Sequence, residues 1–159
     1  MLKHILGTLA ALAISASLAA CGPAAQTERT APATGITVSD AWASPTPGGV
    51  AVSAGYMTIT NNSAAEDRLL AVTSPRANTV DVHRMSMEGA MMQMRPAGEL
   101  AIPAGGVLTL SPNGLHLMFN DVTSPFTDGE TIPLQLHFEH GGDVDVAMPV
   151  RAGAHSGTQ

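Results

Sequence analysis

Short runs in which apolar and polar residues alternate recur along most of this chain, each closed by turn-forming residues. They span Ile36–Trp42, Val50–Thr60, Arg68–Thr73, Thr79–Met85, Met91–Arg95, Val107–Leu110, Leu115–Asn120, Thr131–His140 and Asp143–Val150. A period of two places successive side chains on opposite faces, as in a half-buried strand. Between the runs stand Pro45, Pro47, Gly48, Asn61, Pro75, Gly89, Pro103, Pro112, Asn113, Gly114, Pro125 and Gly129, among others. That punctuation leaves no stretch for a long helix and predicts an all-β sandwich. Gly141-Gly142, between two alternating runs, is the strongest hairpin signal, and Gly89-Ala90 predicts a second hairpin.

The alternation also sorts residues into faces. Leu115, Leu117 and Phe119 fall on one side of their strand, with His116 and Met118 on the other. Val80 and Val82 likewise oppose Asp81, His83 and Met85. Leu134, Leu136 and Phe138 form a third apolar face, which turns His137 outward with Gln135 and Glu139 as a solvated surface residue; His140 at the strand end is read the same way. Met148 continues the apolar alternation of Val144, Val146 and Val150, whereas Met57 can take either face, and Trp42 and Tyr56 read as core or core-edge aromatics. Two strands therefore each carry a histidine and a methionine on the side away from the core.

Methionine is an ordinary core filler, so thioethers aimed away from the core need a chemical reason. Five of the nine methionines (Met85, Met87, Met91, Met92, Met94) fall within ten residues. Thioether sulfur is a soft, neutral ligand and imidazole is borderline, so a mixed set favours Cu(I) over Zn, Mg or Ca. Neither donor must lose a proton near pH 7, and methionine cannot be drawn into a disulfide.

The spacing His83, ten residues, Met94, twenty-one residues, His116, one residue, Met118 resembles the signature of the PCu(A)C family of periplasmic copper chaperones. The likeness runs over residues 36–150 and includes Asp40–Trp42, Gly55-Tyr56, Asn61, Asp67–Leu69 and Pro103–Gly106. It departs at Leu115, where an aromatic can occur, and at Ser44, where a basic residue is common. The resemblance implies a single-domain cupredoxin-like, immunoglobulin-like Greek-key β-sandwich that binds one Cu(I) through His83, Met94, His116 and Met118. Met85, Met91 and Met92 are auxiliary candidates, with Met85 the nearest competitor to Met94 because it shares the His83 face. The implied activity is delivery of copper to an acceptor protein, such as the cytochrome c oxidase subunit that carries a dinuclear copper centre. Copper buffering or resistance, and a metal-free structural lipoprotein, are the competing readings.

The N-terminus adds a location. Lys3 and His4 precede a mostly apolar run, Ile5–Ala20, that closes on Leu-Ala-Ala-Cys at Leu18–Cys21. This reads as a signal peptide over residues 1–20 rather than a spanning helix. It resembles a bacterial lipobox, which implies cleavage before Cys21 and lipidation there. Gly22, in place of the Asp that commonly retains lipoproteins in the inner membrane, points to the outer membrane, so the expected location is the periplasm, anchored through lipid. Residues 21–35, rich in Ala, Pro and Thr, read as a flexible tether, and residues 151–159 as a loose, disordered tail carrying His155.

Cys21 is the one cysteine in the chain. A blue-copper site needs a cysteine thiolate beside two histidines, and a lipid-bearing Cys21 cannot supply it. The formal charge of −6, with lysine absent after Lys3, argues against nucleic-acid binding. No nucleophile elbow, phosphate-cradling glycine loop or paired carboxylate is present, so no enzymatic role is expected. A monomer is expected.

Overall fold

The computed structural model describes residues 35–48 and 50–152. The expected signal peptide, Cys21, the tether up to residue 34 and the tail from residue 153 lie outside them. Among the described residues there is no helix. Ten strands form: β1 (Ile36–Ala43), β2 (Val52–Asn61), β3 (Asp67–Thr73), β4 (Ala77–Glu88), β5 (Met91–Pro96), β6 (Leu100–Ile102), β7 (Val107–Leu110), β8 (Leu115–Val122), β9 (Thr131–Phe138) and β10 (Gly142–Pro149).

All strand pairs are antiparallel, in the order β1-β2-β8-β4-β3-β9-β10, with β5 on β4, β6 on β3 and β7 on β2. The join between β3 and β4 is thin, a single pair at Val72↔Val80. There the sheet folds over, so β1, β2, β8 and β4 face β3, β9 and β10 across one core. Its two ends meet at a parallel bridge, Ala43↔Val150. The all-β sandwich predicted from alternation is the fold observed.

The core takes the apolar face of each strand. Leu117 and Phe119 from β8, Met57 and Ile59 from β2, Leu136 from β9 and Met148 from β10 are almost fully excluded from solvent. The two faces interlock so closely at Gly55 that a Cβ there would lie 2.8 Å from Phe119 Cε2 and 3.1 Å from Met148 Sδ. Phe119 in turn packs edge-on against Phe126, ring centroids 5.2 Å apart.

Two polar side chains are buried to hold the connections. The Asn61 amide donates to the carbonyls of Ala65, Ile102 and Pro103, and its oxygen accepts from the backbone and hydroxyl of Ser63. Asp67 accepts from the backbone N–H groups of Arg68 and His140 at 2.7 and 3.0 Å. Burial opposes its charge, but backbone donors at His140, Arg68 and Gly141 outweigh that and hold its carboxyl below the usual carboxylate range. This wrap also explains why β9 stops at Phe138 rather than running on to His140. The chain turns around the carboxylate, and Gly141 is buried so near it that a Cβ would sit 2.7 Å from Asp67 Oδ2. Gly142 then takes a left-handed φ of 68° to open β10, which completes the expected hairpin.

Candidate metal centre

The site is built by register on one face of β4 and β8. His83 pairs directly with His116, and Asp81 with Met118. Directly paired residues share a face, so His83, His116 and Met118 stand together, away from Val82, Leu117 and Phe119. The Gly89-Ala90 turn brings β5 back along β4 and pairs Met85 with Met94 and His83 with Pro96. Met94 therefore reaches the same face one rung (two residues) from His83, with Met85 directly across from it. Ala54 of β2 pairs with Met118 from the other side.

A cleft of about 460 Å³ lies over this face, lined by His116, Met118, Met85 and Met94 together with Ala54, Tyr56, Pro112 and Asn113. His83 stands beside the lining rather than in it. Its ring centroid lies 6.1 Å from that of His116, with the rings edge to face. Metal–nitrogen bonds of ~2.0 Å added to ~1.2 Å from ring centre to nitrogen allow two imidazoles on one ion to sit with centroids up to roughly 6.4 Å apart. The observed separation is within that reach without moving either strand.

His116 is buried at 5 % exposure. Its Nδ1 lies 3.2 Å from the Gly114 carbonyl. A carbonyl oxygen can only accept, so Nδ1 is the donor, and in the neutral ring this tautomer puts the lone pair on Nε2. The same carbonyl accepts the backbone N–H of Met85 at 3.1 Å, so one loop oxygen positions a residue on each side of the cleft. Asn113 holds φ 67° to make the turn that presents it. His83 is different: its Nδ1 is buried and has no hydrogen-bond partner, alone in this respect among the buried side-chain nitrogens and oxygens of the described residues. An unpaired buried polar atom costs about 1–3 kcal/mol.

No charged side chain lines the cleft. Asp81 lies next to it on the same face, tied to Asn120 Nδ2 at 2.9 Å. Among the described residues no three His, Cys, Asp or Glu side chains gather as a metal site. The cleft's donors are the His116 imidazole, the thioethers of Met85, Met94 and Met118 and the oxygens of Tyr56 and Asn113, and the thioethers favour a soft ion.

The auxiliary candidates divide. Met85 is in the cleft, and Met92 pairs with Met87 on the same face, one rung farther out. Met91 pairs with Glu88 on the opposite face of the hairpin, beside Arg95, and is not brought to the cleft. His137 is held by Asp143 (2.7 Å) and Thr73 (3.1 Å) on the β3-β9-β10 layer, and His140 reaches Asp67 at 3.6 Å. Neither joins the site. Met57 and Met148 are core, as is Val150.

Sequence reasoning placed Trp42 and Tyr56 in or at the edge of the core. Tyr56 is indeed buried, and it lies on the cleft side of β2, paired with Trp42 of β1, their ring centroids 4.4 Å apart. The parity of Gly55 was the available signal. A residue facing the core at Gly55 forces its neighbours Ala54 and Tyr56 to face the other way. The bulge near Asp40, a non-glycine at φ 51°, shifts the register between Ser39 and Trp42 and hides the same signal in β1.

Comparison with known proteins follows this geometry. A family model described as "Putative lipoprotein LpqE-like" matches residues 36–150. "Putative lipoprotein Lxx21020" of Leifsonia xyli subsp. xyli is 29% identical over 120 residues, covering 75% of this chain and 71% of its own length. The solution structure of CuI-DR1885 from Deinococcus radiodurans is 30% identical with a TM-score of 0.58, covering 79% of this chain and 86% of that one. The copper-bound PCuAC domain from PmoF2 superimposes with a TM-score of 0.63 at 24% identity, over 74% of this chain and 93% of that domain, and establishes the cupredoxin-like fold.

Proposed function

The chain belongs to the LpqE-like family, and on that premise we propose that it is a copper carrier. It takes one Cu(I) into the cleft through His83, His116, Met118 and Met94, and passes it to an acceptor protein. The observation that carries the reading is the register pairing of His83 with His116, which sets an unsatisfied buried imidazole nitrogen beside a thioether-lined cleft. Copper is cargo in this reading. Neutral soft donors hold it without a thiolate, so donors of an incoming protein can replace them one at a time. The open side of the cleft continues past Ala54 and Met118 into a second depression of about 490 Å³ bounded by Pro45 and Pro47, which gives an acceptor room to approach. The resemblance to PCu(A)C chaperones points to a dinuclear copper centre of cytochrome c oxidase as the acceptor.

The family's description as lipoproteins supports anchoring to a membrane outside the cytoplasm. We place the anchor at Cys21, with residues 22–35 as its tether and the periplasm as the compartment.

Anaerobic titration of the mature protein with Cu(I) against a competing chelator tests the central reading. The expected result is one ion per chain, with sulfur and nitrogen neighbours at the metal edge and transfer to a copper-free oxidase domain. Failure to compete with a weak Cu(I) chelator, or an edge without sulfur, refutes it. Mass analysis of residue 21 tests the anchor, and an unmodified cysteine refutes that part alone.

A further inference from the structure

The β4–β5 hairpin runs beyond the sheet. β8 pairs with β4 as far as Arg84, the Met85 N–H still reaches the Gly114 carbonyl, and outward from there β4 has only β5 as a strand partner. Its two faces differ in kind. One carries Met85, Met87, Met92 and Met94, the other Arg84, Ser86, Glu88, Met91, Gln93 and Arg95. Glu88 and Arg95 form an ion pair at 2.9 Å on the second face. The thioether face has no core to cover at its tip, and Met87 and Met92 are 63% and 60% exposed.

The turn fixes how near the sulfurs come. Gly89 has φ 65° and Ala90 is not left-handed, the pattern of a type II′ two-residue turn. In that hairpin the pair flanking the turn, Glu88↔Met91, is hydrogen-bonded, and alternate pairs are not. Met87↔Met92 and Met85↔Met94 then both fall at non-hydrogen-bonded positions, where opposed side chains are closest, with Cα atoms ~4.5 Å apart. Pro96 checks the assignment. It lacks an N–H and sits opposite His83, a position of the same parity, and the next pair inward is bonded, Ala97 N–H donating to Val82 O at 2.8 Å. Two pairs of facing thioethers thus follow one another at ~7 Å, the inner pair in the cleft and the outer pair at the tip.

We propose that Met87 and Met92 form a second, outer thioether site for Cu(I), from which the ion passes to Met85 and Met94 by ligand exchange. The identity of the cation rests on the proposed function; the pairing of the donors does not. Two thioethers alone make a weak site, and Cu(I) accepts low coordination, so the outer pair captures and releases where the inner set retains.

The test is Cu(I) titration of the mature protein carrying methyl-labelled methionine, followed by nuclear magnetic resonance. Met91, exposed on the opposite face of the same hairpin, is the internal control. The first equivalent should move Met94 and Met118; further Cu(I) should move Met87 and Met92 saturably while Met91 stays still. In M87L/M92L, two near-isosteric changes at exposed positions, the second phase should vanish and transfer to a chelator should slow several-fold, with first-site affinity unchanged. A first phase with no second, or Met91 moving as far as Met87 and Met92, overturns the outer site and leaves the proposed function standing. A saturable outer phase with Met94 and Met118 unmoved supports the outer site and removes the proposed function.

Discussion

Gly55→Ala tests whether the core sets the geometry of the cleft. The added methyl would lie 2.8 Å from Phe119 Cε2 and 3.1 Å from Met148 Sδ, against a carbon contact optimum of ~3.5–4.0 Å. Met148 can bend aside, because methionine is flexible. The Phe119 ring cannot, since it is fully buried and braced edge-on by Phe126, over which Arg76 is stacked. Overpacking of this kind costs about 1–3 kcal/mol. Replacing glycine at a permitted φ returns about 0.4–1 kcal/mol through the unfolded chain, leaving a net loss of roughly 1–2 kcal/mol. With a urea slope of ~1–3 kcal/mol/M for a small domain, the unfolding midpoint should fall by several tenths of a molar or more. β2 can relieve the clash only by moving away from β8, and Gly55 sits between Ala54 and Tyr56, which line the cleft. Cu(I) affinity should therefore fall along with stability. Urea denaturation of the copper-free protein and Cu(I) competition on the same sample read both effects. A variant as stable as the parent would show that Phe119 yields and that the reasoning about a braced core is wrong.

Other substitutions separate the ligands and the structural carboxylate. His116→Ala should weaken Cu(I) binding by at least roughly tenfold more than Met94→Leu, a gap of ~1.4 kcal/mol. His116 is buried with no imidazole to replace it other than His83, whereas Met94 is 45% exposed and faces Met85. Equal losses in chelator competition would contradict Met85 as a substitute donor. Asp67→Asn should lower stability by about 1–3 kcal/mol at pH 7, because the amide forfeits charge-assisted bonds from three backbone donors. The folded carboxyl lies below its unfolded value, so its contribution is complete above about pH 4 and drains away as pH falls through the folded value. The variant should therefore show a shallower acid limb than the parent, and superimposable limbs would refute the assignment.

Most strands and both hairpins were legible because alternation is a strong signal wherever one face is buried. The pairing of His83 with His116 was legible only as far as both faced away from the core; their direct opposition depends on β4–β8 register, which connects residues far apart in the chain. β6 escaped notice because Leu100-Ala101-Ile102 is three residues long, too short to display a period. Met91 was grouped with its neighbours by proximity in sequence, although a period of two separates it from Met92 and Met94. Asp67 and His140 look like solvated groups in a polar loop. Only the fold shows that Gly141 lets the backbone close around the carboxylate.

The bridge between Ala43 and Val150 has a consequence for self-association. An open sheet presents unpaired N–H and C=O groups along its outermost strands, which are templates for another copy. Here β1 and β10 are brought to one another, and the Arg151 N–H donates to the Ala43 carbonyl at 3.0 Å. The contact is one bridge and one further bond, so this seam, like the single Val72↔Val80 join between β3 and β4, is a thin place where the sandwich can open. A carrier that gathers at high density on a surface would stay dispersed while the seam is shut and become adhesive when it parts. Substitutions near Val150 should thus reveal themselves first as intermolecular strand exchange, well before global unfolding.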